Sequence, residues 1–484
     1  MRFHARSNAL LTVCFIAVIV LHAQEIRNVP RSVATPDATT ATSSPGFFRR
    51  LAHYYHDDWF PAPPSSAAPA STAPQKRGLP SPLDSPPFPS SDWGYGGSPD
   101  IGAPDGNSYP LMTAINEAKS RSKIYGWIEP GVNVSTSGHT NAPEVYDQFP
   151  NMIHADQLLL YVERLPDSVQ TKHFDWGYHF TAVYGTDYRY FTGKGYFSQQ
   201  LLLFDRQYGA ELPIEYVDLY FPHVAQGMNI RIGRFISVPG IEAQLAPNNY
   251  IFSHSILYFV DPFTDTGAIA TIKLSNQWLV QAGITDGHDV APWTNDAQPS
   301  GTLCANYTTH SVNDNLYACA NGINDGDYGF DNLQQFDFTW YHRFSKKIHI
   351  ATESWYMYQH RVPNVAGRVT NPIAPELGTN GAWCRVGELR CTAGEYAIVN
   401  YFEKEFSAKL FLSFRSEIVN DRRGQRTGYA TKYSENTLSL TKWIGSTVQI
   451  RPELRFEHAY DQPAYDGGRT HTQFTAASDL IFHF

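Results

Sequence analysis

Residues 173–185 read HFDWGYHFTAVYG. Phe174, Trp176, Tyr178, Phe180, Ala182 and Tyr184 share one parity, while Asp175, Gly177, His179 and Thr181 share the other. A helix gathers residues three and four apart on one side, whereas an extended chain turns successive side chains to opposite faces. Only a strand sorts residues in this way. The sorting returns in 333–343, where Phe336, Phe338 and Trp340 oppose Gln335, Asp337, Thr339 and Arg343. It is sharpest in 448–457, where Val448, Ile450, Leu454 and Phe456 oppose Gln449, Arg451, Glu453, Arg455 and Glu457.

Outward from these three stretches, fourteen segments of the same kind begin near residues 124, 155, 173, 213, 227, 266, 276, 331, 347, 394, 406, 430, 446 and 471. Their connections alternate between short (near 166–172, 222–226, 275, 345–346, 405 and 445) and long (137–154, 185–212, 237–265, 287–330, 361–393, 418–429 and 460–470). Short turns on one side, long loops on the other and an even strand number describe an up-and-down antiparallel barrel in a membrane. The expected class is therefore an all-β transmembrane barrel of about 14 strands, within a range of about 12 to 16.

A soluble sandwich also alternates, but its polar face meets bulk water and its apolar face a core. Here charges of both signs gather on one face, and the other carries almost none. That suits a confined wet lumen with hydrocarbon outside, where the sheet must close because lipid offers nothing to unpaired backbone groups. The expected pore-lining residues are Asp175, Asp218, Arg231, Asp337, Glu353, Lys409, Arg415, Arg451, Glu453 and Arg455. Tyr125, Trp127, Trp340, Trp355, Tyr356, Tyr358 and Trp443 near strand ends are candidates for interfacial girdles.

Composition agrees. Of 484 residues 17% are charged, below the usual share of about 25%, and 14% are aromatic. Beyond residue 25 no apolar run reaches the 18 or so residues a membrane helix needs. The apolar block Ala9 to Leu21 follows Arg2, His4 and Arg6 and ends near Ala23, which marks residues 1–23 as a secretory signal peptide. Residues 24–108 are rich in Pro, Ser, Ala and Thr and read as a disordered periplasmic leader, interrupted by an amphipathic island, FFRRLAHYYHDDWF (47–60). The barrel domain is expected over 109–484. A net charge of −9 without a basic run argues against a nucleic-acid partner.

Outside the signal block four cysteines form two close pairs, Cys304 with Cys319 and Cys384 with Cys391, in Gly, Asn and Thr rich stretches. Local disulfides in outward loops are the expectation, and a zinc site the weaker competitor. No metal and no cofactor is expected. The stretch NGINDGDYGFD (321–331) invites a calcium reading but lacks the bidentate Glu that ends an EF-hand loop, so a solvated acidic loop is expected. No HExxH, GxSxG or CxxC pattern points to catalysis.

Several stretches resemble the OmpL-like family of beta-barrel porins: LPSPLDSPPFPSSDWGYGGSPDIGAP (79–104), KIYGWIEPGVNVSTS (123–137), TDYRYFTGKGYFSQQLL (186–202), GRFISVPGIE (233–242) and NNYIFSHSILYFVDPFTDTGA (248–268). The resemblance runs from about residue 79 onward and implies a bacterial outer-membrane porin with passive transport, but no particular solute. The last strand, ending on Phe484, resembles the signal read by the barrel-assembly machinery, with Asp479 where Gly is common. The expected partners are outer-membrane lipid, lipopolysaccharide, that machinery and small solutes, with homo-oligomerisation open. Two other readings stand beside the porin: a non-conducting anchor or adhesin, and a barrel lipase or protease. Arg451 and Arg455, with Glu453 between them, are the leading selectivity candidates, followed by Asp218 and Arg231. The loop from Tyr184 to Pro213, with Arg189, Lys194, Asp205 and Arg206, is the candidate constriction.

Overall fold

The computed structural model describes residues 45–61, 109–168, 170–311, 313–345, 347–365, 381–407 and 409–484. The expected signal peptide, and the leader apart from 45–61, lie outside the described residues. Helices α1 (Phe47–Trp59) and α2 (Pro110–Ala114) precede sixteen strands. These are β1 (Ser122–Ser135), β2 (Ile153–Arg164), β3 (Asp175–Gly185), β4 (Gly209–Phe221), β5 (Met228–Ile236), β6 (Thr264–Lys273), β7 (Trp278–His288) and β8 (Ser300–Thr308). They continue as β9 (Asp314–Ile323), β10 (Gln334–Ser345), β11 (Ile348–Pro363), β12 (Arg390–Ser407), β13 (Leu410–Asp421), β14 (Thr431–Ile444), β15 (Val448–Ala459) and β16 (Thr472–His483). Two short helices, α3 (Gln199–Leu202) and α4 (Ile256–Val260), lie in loops. Each strand pairs antiparallel with its neighbour in sequence, and β16 returns to β1 with Trp127 opposite His483 and Ser135 opposite Thr475.

The barrel is inside out relative to a soluble protein. Along β14, Leu438, Leu440 and Ile444 are exposed, while Glu435, Thr437 and Thr441 are buried. Ile284 is 70% and Leu454 52% exposed, yet Arg189, Arg234, Arg415, Arg426, Arg451 and Arg455 are among the largest fully buried side chains. Water cannot be the solvent of such an outer face, because apolar surface exposed over a whole closed sheet would drive association. The apolar core lies inside the ring. Tyr250, Ile251, Leu257, Tyr258, Phe259 and Phe263 of the loop between β5 and β6 pack against Tyr341, Trp355, Met357, Tyr401 and Tyr433 of the wall.

Sixteen strands fall within the expected range, and the fourteen segment starts correspond to β1 to β7 and β10 to β16. The missed pair is β8 and β9, which lie at 300–308 and 314–323 within the expected long loop 287–330. Their outward positions include Ala305, Ala318 and Ala320, and their inward ones Thr302, Asn306, Tyr317 and Asn321. With alanines interrupting Leu303, Tyr307 and Leu316 outside and no charge among the buried inward positions, the contrast that revealed the other strands is blurred.

This corrects the placement of one cysteine pair. Cys304 and Cys319 are bonded directly across β8 and β9, buried on the inner wall rather than in an outward loop. Cys384 and Cys391 are bonded as expected, in the loop before β12 and at that strand's first turn of chain. The girdle assignment also fails for four residues. Tyr125, Trp127, Trp355 and Trp443 are buried on the lumen side, whereas Tyr356 faces outward. Parity was the available signal, since Trp127 shares a face with Glu129, Trp355 with Glu353 and Trp443 with Glu435.

Candidate functional site

The loop 237–263 leaves β5, crosses the lumen and returns at β6. Pro239, Pro247 and Pro262 cannot donate to a ladder, and Gly240 holds a φ of 112°, so the segment cannot continue as strand. A buried irregular segment must nevertheless find partners for its backbone N–H and C=O groups. The wall provides them.

Three wall carboxylates accept the N–H groups. Glu353 of β11 accepts from Ile241 at 2.6 Å, Glu453 of β15 from Phe252 and Ser253 at 3.1 Å each, and Glu417 of β13 from Ile256 and Leu257 at 2.6 and 3.0 Å. Wall and rim arginines take the carbonyls. Arg451 Nη1 donates to Ala246, Asn249 and Ile251 at 2.8, 3.1 and 3.1 Å, Arg415 Nη1 to Ser253 at 2.6 Å, Arg455 to His254, and Arg426 Nε to Val260 at 3.0 Å. In a ring of sixteen, β13 and β14 stand eight strands from β5 and β6, so the loop reaches the opposite wall. Because most of these contacts grip backbone, they fix the path of the chain itself, and Arg415 also holds the loop side chains of Glu242 and Ser253.

The clamping arginines are each paired with a carboxylate. Arg415 pairs with Glu435 at 3.0 Å and Glu242 at 3.1 Å, Arg451 with Asp479 and Glu129, and Arg455 with Glu457 at 2.6 Å. A charge withdrawn from water without such a partner would cost several kcal/mol or more. Beyond the strands, Asp289 secures the end of the loop by accepting from the N–H groups of Phe263 and Thr264 at 2.9 and 2.8 Å. Burial, with Asp331 close by, raises the Asp289 carboxyl to about 8. Burial, together with Arg415 and Arg451, holds the imidazole of His254 on the loop well below its usual value.

A closed barrel, lipid-compatible outside and crossed inside by a clamped loop, is the frame of a channel. A family model described as "Putative beta-barrel porin-2, OmpL-like" matches residues 121–484. The chain belongs to this porin family. The porin is accordingly a protein of the bacterial outer membrane. Solved structures similar to it include an anion-selective porin from Comamonas acidovorans, at 8% identity over 75% of this chain and 99% of that one, TM-score 0.48. The outer membrane channel DcaP of Acinetobacter baumannii is similar at 10% identity over 75% and 97%, TM-score 0.46. No curated protein matches.

Within this porin the expected lining residues divide. Glu353, Arg415, Arg451, Glu453 and Arg455 face inward but are covered by the loop they hold, and Asp337 is buried one strand away from Glu353. Arg451, Glu453 and Arg455, the trio expected to govern selectivity, each hold loop backbone, and Arg451 and Arg455 also pair with neighbouring carboxylates. Asp218 and Arg231 pair across β4 and β5 at 3.1 Å near a short turn, with the Arg231 guanidinium 3.9 Å from the Tyr216 ring centre. Asp175 accepts from Arg121 at 2.6 Å and Arg164 at 3.0 Å at the short-turn rim. Lys409 is not on a strand face: it occupies the turn between β12 and β13, half-buried, where its carbonyl accepts from Trp443.

The expected constriction is only partly placed. Thr186 to Tyr190 tucks inward, with Arg189 buried and 3.2 Å from Gln148 Oε1, while Asp205 and Arg206 are exposed and Lys194 pairs with Asp296 at 2.7 Å. The deeper barrier is 237–263, which sequence reading treated as an ordinary long loop. Its signal was the apolar run Ile256 to Val260 inside a connection that alternation had already excluded from the wall. The acidic stretch 321–331 is likewise not wholly solvated, since Asp331 is fully buried against Arg426.

Proposed function

We propose that this porin passes small hydrophilic solutes by passive diffusion, with the 237–263 loop setting the passage and size governing entry more than charge. The observation that carries the reading is the backbone clamp. The clamping arginines are engaged with carboxylates and with the loop, and the clamping glutamates with loop N–H groups, which damps the field each presents to the lumen. What they leave is a fixed obstruction of defined section. On this reading the protein is a conduit without catalytic chemistry. Lipopolysaccharide contact, delivery by the barrel-assembly machinery through the Phe484 strand, and association of barrels into oligomers belong to the same proposal.

Swelling of vesicles containing the folded protein tests it. Rates for uncharged sugars should fall steeply with size, and anions and cations of similar size should enter at similar rates. Glu417→Gln, which weakens two backbone clamps, should raise the size limit. Absence of swelling from protein that retains heat-modifiable gel mobility would favour the anchor reading instead.

A further inference from the structure

Helix α1 lies outside the region matched by the porin family, yet it is seated on the barrel. Its inner side, Phe47, Arg50, Leu51, Tyr54, Tyr55, Asp58 and Trp59, follows the three-and-four spacing of a helix laid on a surface. Asp58 accepts from Ser446 N at 2.8 Å, Ser446 Oγ at 2.8 Å and Thr447 Oγ1 at 2.7 Å in the turn between β14 and β15. Trp59 Nε1 donates to Thr447 Oγ1 at 2.9 Å, and a Cβ on Gly445 would collide with the Asp58 carboxylate. Tyr55 Oη donates to the carbonyl of His483 at 3.0 Å, and Arg50 Nε to that of Ala114 at 2.7 Å. The helix therefore bridges the chain leading into β1 and the end of β16, the two strands that close the ring.

The ring contacts say on which side it sits. Tyr55 and Trp59 pack at 5.0 and 6.3 Å on Phe482, which shares the outward parity of Leu480 and Phe474. The helix is thus on the lipid-facing side at the short-turn rim. At about 100° per residue, Phe48 and Ala52 flank Tyr55 and Trp59, while Arg49, His53, His56 and Asp57 lie opposite the barrel contact. Phe48 is 80% exposed. Barrel on one side, an uncovered apolar edge continuous with the lipid-facing belt, and a polar back are the three surroundings of a helix lying at a membrane boundary.

We propose that α1 is an interfacial strap: anchored on the β14–β15 turn by Asp58, it bridges the β1–β16 seam through Tyr55 and Arg50 and inserts Phe48 into the periplasmic leaflet phospholipid. The proposal rests on the outer-membrane reading, and its test separates the two. The full chain carrying Phe48→Cys or His53→Cys, labelled with an environment-sensitive thiol probe, is reconstituted in phosphatidylethanolamine and phosphatidylglycerol vesicles with brominated acyl chains. Heat-modifiable mobility of each sample reports the barrel independently. The probe at 48 should be quenched by brominated chains severalfold more than the probe at 53, which should respond to aqueous iodide. Adding Asp58→Ala to Phe48→Cys should reduce the bromine quenching severalfold while the barrel band persists. Equal aqueous quenching at both positions, or bromine quenching at 48 that Asp58→Ala leaves unchanged, would overturn the strap with the barrel intact.

Discussion

Replacing Arg451 with methionine keeps most of the side chain's volume and removes its charge and donors. Asp479 and Glu129 then lose a shared counter-ion at full burial, and the carbonyls of Ala246, Asn249 and Ile251 lose their donor. Removing one partner of a buried ion pair costs about 3–5 kcal/mol. Each carbonyl left without a donor adds about 1–3 kcal/mol unless lumen water reaches it. The strand ladder is untouched, so Arg451→Met should destabilise the barrel by at least the ion-pair amount without abolishing folding, read as a lower urea midpoint by tryptophan fluorescence in detergent micelles. Adding Asp479→Leu should recover part of the loss, because the stranded carboxylate is then gone. An Arg451→Met midpoint equal to that of the parent, or a double variant whose losses simply add, would refute the clamp argument.

Other expectations follow from the same arrangement. Leu454→Arg, on the lipid face beside Leu438 and Ala476, should cost about 2–4 kcal/mol if it lies near the bilayer midplane, whereas Leu454→Phe should be nearly neutral in the same unfolding assay. Asp289 retains its proton in the folded protein up to about 8, while an unfolded Asp loses it near 3.9. The folded state therefore binds more protons between those values, and this group's contribution to stability falls as pH rises through that window. Asp289→Asn should flatten that part of the midpoint against pH, and an unchanged slope would count against it. Cys304→Ser with Cys319→Ser removes a link between residues 15 apart, worth about 3 kcal/mol on the chain-entropy model. The closed ladder should still give heat-modifiable mobility, and its loss would show that the link, not the ring, holds β8 and β9.

Strand parity made the wall legible wherever one face was charged and the other greasy, as in 448–457. It fails at β8 and β9, whose alanines and uncharged inward positions blur the contrast, and aromatic character alone misplaces Trp127, Trp355 and Trp443, whose parity with Glu129, Glu353 and Glu435 marks them as inward. Inward direction was legible for Arg451 and Glu453, but what they meet was not. Their partners are backbone atoms of a loop some 200 residues away, and hydrogen bonding to a main chain leaves no trace in residue type. The island at 47–60 was recognisable as amphipathic, whereas its seat depends on Ser446, Thr447 and Phe482, brought together only by closure of the ring.

Single-channel recording in a planar bilayer tests the central claim most directly. The purified protein should produce discrete conductance steps with a reversal potential near zero in asymmetric salt, and Arg451→Met, with its loop released, should give larger steps. Folded protein that never opens, or identical steps from parent and variant, would contradict a conduit whose section is set by the clamped loop.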